Sequence, residues 1–340
     1  MIYYSTLGHN LKRGLFNFCE KISGEFSRPT QKFILDMIYG LLTTHSCFLS
    51  EIARKLNGKA TPDKAVERLS RNLMNFDGAD KLHENYFNAV KRNFGDSTVL
   101  IIDDSGITKP CSRKLEGLCK VHDGSTGEIA DGYCFAGVSA LTAGRKQPIP
   151  VYSRVYSTVE KDYIGKNSET LKSLKFLSSH FPKTNIRALG RGYDAGYIFD
   201  YFIPRKESFI VRMRGDRHIL FKGEKVKLRD LARKYKGKYA LNFEAKDGKK
   251  RDCKISIVPV SLPNYPDEPL NLVICCGFGK EPLLLPANLA SGGKRLCVTV
   301  VKVYLMRRRI EEYCKFKKQG FGFERFPVRS LKSIRNLDLR

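Results

Sequence analysis

The sequence predicts a mixed α/β fold: a sheet with helices packed against it, behind a helical N-terminal region. Apolar residues recur at helical spacing across residues 30–93, and from residue 97 the texture changes to runs rich in β-branched and aromatic residues. Elements then follow in the order β, β, β, α, β, α, the order of a mixed sheet with helices against it.

FILDMIYGLLTTH opens the helical region, followed by two short amphipathic segments, LSEIARKLN and TPDKAVERLSRNLMNF. The second has a clear start, with Thr61 as N-cap and Pro62 at the first helical position. Joined by NGKA, the two have the outline of a helix-turn-helix, an arrangement that serves DNA contact or simple packing. STVLIID, GYCFAGVSAL and QPIPVYSRVYS read as strands, with TAGRK of hairpin composition between the last two. NSETLKSLKFLSSHF reads as a helix, NIRALG as a short strand and AGYIFDYFI as a helix. From residue 207 the chain returns to strands, SFIVRMR, HILFKGEKVKL, KYALNFEA, DCKISIVPV and LNLVICCGF, punctuated by Gly, Asp and Pro. A helix is expected from Cys297 to Gln319, closed by Gly320 as C-cap.

Composition narrows the partner. Sixty-one Lys and Arg against 35 Asp and Glu leave the 340-residue chain at +26, spread along its length, and a polyanion is the natural counterpart. No apolar run approaches the roughly 20 residues that span a bilayer, and no membrane is expected. The ten cysteines have no regular spacing and MIYYSTLGHN lacks a signal-peptide shape, so reduced thiols and a cytoplasmic location are expected. Cys111, Cys119, His122 and Cys134 match no zinc-ligand spacing.

The segment YLMRRRIEEYCKFKKQ raises a chemical question, because it crowds six cationic side chains around two glutamates. On one helix Tyr304, Arg307, Glu311 and Lys318 would fall within about 60° of one another. An i, i+4 ion pair accounts for Arg307 and Glu311 but not for Tyr304 or Lys318. A carboxylate among cations beside a polyanion suits metal-dependent phosphoryl transfer, the acid holding Mg²⁺ and the cations holding phosphates. A hard cation needs further oxygen ligands, and IIDDSG offers Asp103 and Asp104 at the end of an apolar strand, where ordinary turn chemistry is the competing explanation.

Together these residues resemble the DDE transposases of bacterial insertion sequences marked by Tyr-x2-Arg-x3-Glu-x6-Lys, here Tyr304, Arg307, Glu311 and Lys318. VLIIDDSGITK, ALGRGYDAGYIFDYF, SFIVRMR and RRRIEEYCKFKKQGFGFERFPVRS are similar to that family's blocks, over residues 45–335. The resemblance implies an RNase H-like fold interrupted by a β-rich insertion. It divides the chain into a helical DNA-binding region (1–95), the first part of the catalytic core (96–206), the insertion (207–292) and the C-terminal part with Glu311 (293–340). It implies that Asp103, or alternatively Asp104, and Glu311 are catalytic metal ligands for two Mg²⁺ or Mn²⁺ ions. Arg307, Lys318 and Arg191 would hold DNA phosphates and Tyr304 would position the strand. Asp103 is favoured because D-x-S/T matches the family's first acid.

Two departures stand out. Where the family has Asp-Arg-Gly-Tyr-Asp, this chain has Gly190-Arg191-Gly192-Tyr193-Asp194, so Gly190 occupies the position of the second acid. Asp194, four residues on, is the alternative ligand, with helix capping as its ordinary role. The chain is also expected to continue in a further helix after FPVRSLKSIRNLDLR. The implied function is transposition: binding double-stranded transposon ends and target DNA, as a dimer on DNA and nucleoid-associated when bound, with cleavage and strand transfer in doubt at Gly190. The alternatives are a catalytically dead DNA-binding derivative and a structure-selective RNase H-like nuclease.

Overall fold

The computed structural model describes residues 2–338 apart from 57, 59, 125, 143, 146, 236, 245–247, 249 and 291. Parts of NGKA and TAGRK therefore lie outside the described residues.

Five helices come first: α1 (Ile2–Ser23), α2 (Arg28–Thr44), α3 (Leu49–Lys55), α4 (Pro62–Asn75) and α5 (Ala79–Val90). Strands β1 (Val99–Thr108), β2 (Cys119–His122), β3 (Ile129–Leu141) and β4 (Ile149–Tyr156) follow, then α6 (Lys166–His180), β5 (Ile186–Leu189), α7 (Gly196–Phe202) and β6 (Phe209–Val211). Next come β7 (His218–Phe221), β8 (Glu224–Lys227), α8 (Leu228–Lys234), β9 (Tyr239–Glu244), β10 (Lys250–Leu262), β11 (Tyr265–Cys276) and β12 (Leu283–Ala287). The chain ends in α9 (Gly293–Met306), α10 (Arg309–Lys315) and α11 (Leu331–Asp338).

The fold is mixed α/β, with one large sheet flanked by helices. β1 and β4 each pair antiparallel with β3, while β5 lies parallel to β1 and β6 parallel to β5. Three antiparallel strands followed by two parallel ones make this part of the sheet. The β-rich segment does not form a sheet of its own. β12 pairs with β6 at Ala287 and Ile210, and the order continues through β11 and β10 to β7 and β8.

Alternation along β1 assigns each residue to a face. Leu100 and Ile102 join a core with Leu174 and Leu177 of α6 and Ile198 and Phe199 of α7. Val99 and Ile101 join the opposite core with Leu296, Val300 and Val301 of α9. The N-terminal helices share a third core with the sheet and with α11, in which Leu69 and Leu73 meet Phe135, Val155 and Ile334. The packed face of α4 is thereby committed, and Asn336 of α11 donates to its Leu73 carbonyl at 2.8 Å.

Several local expectations are corrected. β1 does not stop at its carboxylates but runs on to Thr108, because β3 supplies antiparallel partners as far as Gly132. Thr61 does take the extended N-cap conformation (ψ 153°), yet its hydroxyl makes no capping bond. The helix expected over 297–319 is three pieces. α9 ends at Met306, i→i−3 bonds tighten the backbone through Arg307 and Arg308, and a wide π-turn over Phe316–Gly320 follows α10. Phe321, not Gly320, closes that turn. HILFKGEKVKL is a hairpin, β7 and β8, and the chain also forms α1, α8 and α11.

Candidate active site

The opening in the sheet is set by where β5 stops. Its pairing with β1 ends at Ile102 and Leu189, so Asp103 and Gly190 are the first residues beyond the ladder and lie side by side. Strand parity then separates the two aspartates. Asp103 shares the face of Ile101, under α9 and α10. Asp104 turns to the other face, where Lys166 of α6 stands 3.3 Å from its carboxylate. Tyr193 lies on that side as well, its phenol pushed well above the usual range by burial and then by Asp104.

Arg307 sits at the break between α9 and α10, where the tightened backbone aims it at β1. Its guanidinium donates to Asp103 Oδ2, 204 positions away in sequence, at 3.1 Å and to Glu311 Oε1 at 3.4 Å, bridging the two acids. The same group covers Gly190: a Cβ built there would lie 3.4 Å from Arg307 Cζ and 3.6 Å from Nε. Arg307 Nε is itself buried and makes no hydrogen bond. The space over Gly190 is therefore lined by a donor without an acceptor.

The electrostatics follow from crowding. Burial raises the Asp103 carboxyl above its ordinary range; Arg307 opposes that shift, while Asp104 and Glu311 add to it. Burial works to lower the Arg307 guanidinium, but Asp103, Tyr304 and Glu311 outweigh it and the net shift is upward.

The other expected site residues are placed as follows. Tyr304 is buried in the α9-side core, 7% exposed, with the Arg307 guanidinium 5.9 Å from its ring centroid. Lys318 leaves the stripe because of the break and the π-turn. Its ammonium donates to the Gly106 carbonyl and lies 3.4 Å from Glu324, which Thr108 also contacts, so it clamps the C-terminal segment to β1. Arg191 is exposed beside Gly190, 3.8 Å from Glu281. Asp194 caps no helix: α7 begins after Ala195 without a side-chain cap. Its carboxylate is fully buried, accepting from the Arg214 backbone N–H at 2.8 Å and lying 2.8 Å from the Arg217 guanidinium.

Arg214 and Arg217 escaped the sequence reading, although SFIVRMR held the first of them. The Cys/His quartet is not assembled, since Cys119 is buried and His122 exposed on opposite faces of β2, and Cys111 is exposed.

Among the described residues no group of three or more His, Cys, Asp or Glu is placed to hold a metal ion. Asp103 and Glu311 are bridged by Arg307, Asp104 faces away and Asp194 is held by arginines. These residues do not fit a two-ion centre. Among the described residues no single helix is long and apolar enough to cross a membrane.

No protein-family model and no curated protein matches the chain. Among solved structures it is similar to a piggyBac transposase in a synaptic complex with hairpin DNA, with a TM-score of 0.45 and 9% identity over 94% of this chain and 68% of that one. Similarity at that level does not bear on the function of this chain.

Proposed function

We propose that the chain is a DDE-type transposase by descent, one that binds double-stranded DNA and has lost metal-dependent cleavage and strand transfer at Gly190. The observation that carries this reading is the convergence of Asp103, Arg307 and Glu311 beside Gly190 at the open end of the β1–β5 ladder. Two segments far apart in sequence bring two acids and a cation to the spot on a third where another acid's side chain would begin. A net charge of +26 supplies the attraction for DNA, and counterion release makes that attraction steeply salt-dependent.

In this reading Asp103 rather than Asp104 descends from the first acid, because it shares a sheet face with Glu311. Arg307 bridges the two surviving carboxylates, so one of their two charges is balanced from within. Arg191 faces DNA phosphate, and Tyr304 and Lys318 act from beneath by holding α9 and the C-terminal segment on β1. The helical region 1–95 and the β-rich segment 207–292 would flank the bound duplex. Synapsis of two ends would need two copies on DNA, in the cytoplasm.

The test uses a labelled duplex and the purified chain, its Gly190→Asp variant and Gly190→Asp carrying Glu311→Ala. The parent should bind duplex with an affinity that falls steeply with salt, show no thermal stabilisation by Mn²⁺, and leave the DNA intact. Gly190→Asp should be stabilised by Mn²⁺, by about 2.7 kcal/mol at a concentration 100-fold above its Kd. That gain should vanish in the double variant. Nicking by the unmodified chain would overturn the loss of chemistry, and salt-insensitive or absent binding would overturn the DNA reading.

A further inference from the structure

β1, β4, β5 and β6 all run in the same direction, so the loops that follow β4, β5 and β6 open at one rim of the sheet. Such a rim is where open α/β sheets place their ligands. The β5 loop carries Gly190 and Arg191, and the β6 loop carries Arg214. The β4 loop, residues 157–165, is of another kind. Its register starts it at the outer end of β1, since Tyr156 pairs with Cys134 and Cys134 with Gly106.

The loop exposes two apolar side chains, Val159 at 61% and Ile164 at 86%. Scattered exposed apolar residues need no explanation, but these two are mounted on a braced support. Glu160 accepts from the Ser157 N–H at 2.8 Å, and its backbone carbonyl accepts from the Tyr163 N–H at 3.1 Å. From below, Arg335 of α11 grips the Glu160 carboxylate at 2.6 and 2.8 Å. Tyr163 stacks on Tyr156, ring centroids 6.1 Å apart and 15° from coplanar. The loop is stapled to a strand and a helix while Val159 and Ile164 point away from both.

The surroundings identify the partner. Lys161 is exposed on the same loop and Lys166, 65% exposed, follows it immediately. Arg191 and Arg214, 58% and 59% exposed, stand on the loops after β5 and β6, further along the same rim. Two apolar side chains offer far less than the roughly 1,000 Å² that a specific protein interface buries. Apolar wedges flanked by cations are what proteins insert between DNA base steps, the cations holding phosphates while the wedge replaces stacking. We propose that the 157–165 loop is such a wedge, with Val159 and Ile164 entering an unstacked base step of duplex DNA lying across the rim. This rests on the DNA-binding reading above and adds to it a preference for DNA whose bases unstack easily.

The experiment uses the full chain and two duplexes of one sequence, one fully paired and one with a two-base mismatch, each carrying 2-aminopurine at the centre. Affinity is followed by anisotropy and unstacking by 2-aminopurine emission. The parent should bind the mismatched duplex about tenfold tighter, the scale of burying one aliphatic side chain. Its saturation of the paired duplex should raise the emission. The Val159→Ser/Ile164→Ser variant changes only exposed side chains, so its melting temperature should match the parent's. It should keep the parent's affinity and salt dependence for paired DNA while losing both the preference and the emission rise. A double variant that retains them, or a parent that binds paired DNA and shows neither, overturns the wedge and leaves DNA binding standing. Absence of binding to either duplex at low salt sinks both. A parent that self-associates in sedimentation velocity through these two residues, with the variant monomeric, assigns the loop to a second copy and also overturns the wedge.

Discussion

Around Arg307 one cation serves two acids, whereas around Asp194 one acid serves two cations. Both constellations lie along the rim formed after β5, yet they differ in solvent as well as in stoichiometry. The Asp103 and Glu311 side chains are 28% and 43% exposed, while that of Asp194 is 0% exposed. A buried charge without a partner is costly, so Asp194 and Arg217 are bound to one another and the β6–β7 loop is fixed by the pair. Acids in excess over cations at a solvent-open ladder end are a different thing: an arrangement that takes a further positive charge. The contrast separates a structural anchor from a solvent-open cluster with room for a cation, though both are written in the same residue types.

The largest effect should come from removing the buried acid. Asp194→Ala leaves the half-buried Arg217 guanidinium without its carboxylate and the Arg214 N–H without an acceptor, and should cost about 3 kcal/mol of stability in urea denaturation. A loss under about 1 kcal/mol would mean that water reaches the pair and would erase the distinction drawn here.

Lys109 extends the contrast to a buried cation held by no carboxylate. Its ammonium donates to the Phe326 carbonyl at 3.1 Å and lies 3.5 Å from the Phe326 ring centroid. Burial, outweighing Cys47 and Glu324, depresses its pKa from 10.5 to about 8. Between pH 8 and pH 10.5 the unfolded chain holds the extra proton, so the parent gains stability as pH rises through that window; below it the charged form is penalised in full. Lys109→Met removes the penalty and should stabilise the protein at pH 7 by up to about 3 kcal/mol, less the lost carbonyl bond. The gain should shrink as pH climbs past 8, and a gain independent of pH would refute the assignment to charge.

The smallest effect belongs to Glu311. Its bond to Arg307 is an exposed i, i+4 pair, and Arg307 keeps Asp103 when it is lost, so Glu311→Ala should cost no more than about 0.5 kcal/mol in the same denaturation assay. A cost comparable to that of Asp194→Ala would show that Glu311 is a second anchor.

The carboxylate and arginine types of the candidate site were legible in the chain because phosphoryl chemistry restricts them, and Gly190 stood out against the pattern around it. Strand parity was legible in principle too, since successive residues of a strand point to opposite faces, but which face α9 covers depends on a contact across 204 positions. That contact alone distinguishes Asp103 from Asp104. The stripe of Tyr304, Arg307, Glu311 and Lys318 assumed one regular helix. The backbone instead tightens at Arg307 and widens over Phe316–Gly320, which rotates Lys318 onto Gly106 and Glu324. Asp194 reads locally as a cap, and only packing delivers Arg214 and Arg217 to it.

By itself, then, the sequence determined the mixed α/β class, the positive charge that calls for a polyanion, the helical character of the N-terminal region and the absence of a side chain at 190. These depend on composition, on periodicity within one element or on a single residue, and so they survive without knowledge of neighbours. Tertiary structure decided that the β-rich segment extends the core sheet through β12 and β6, that Arg307 lies over Gly190 between two acids, and that the loop of Val159 and Ile164 stands braced at the same rim. Each of those depends on pairing register and strand direction, which are set by hydrogen bonds and burial between segments far apart in the chain, and no local pattern records them.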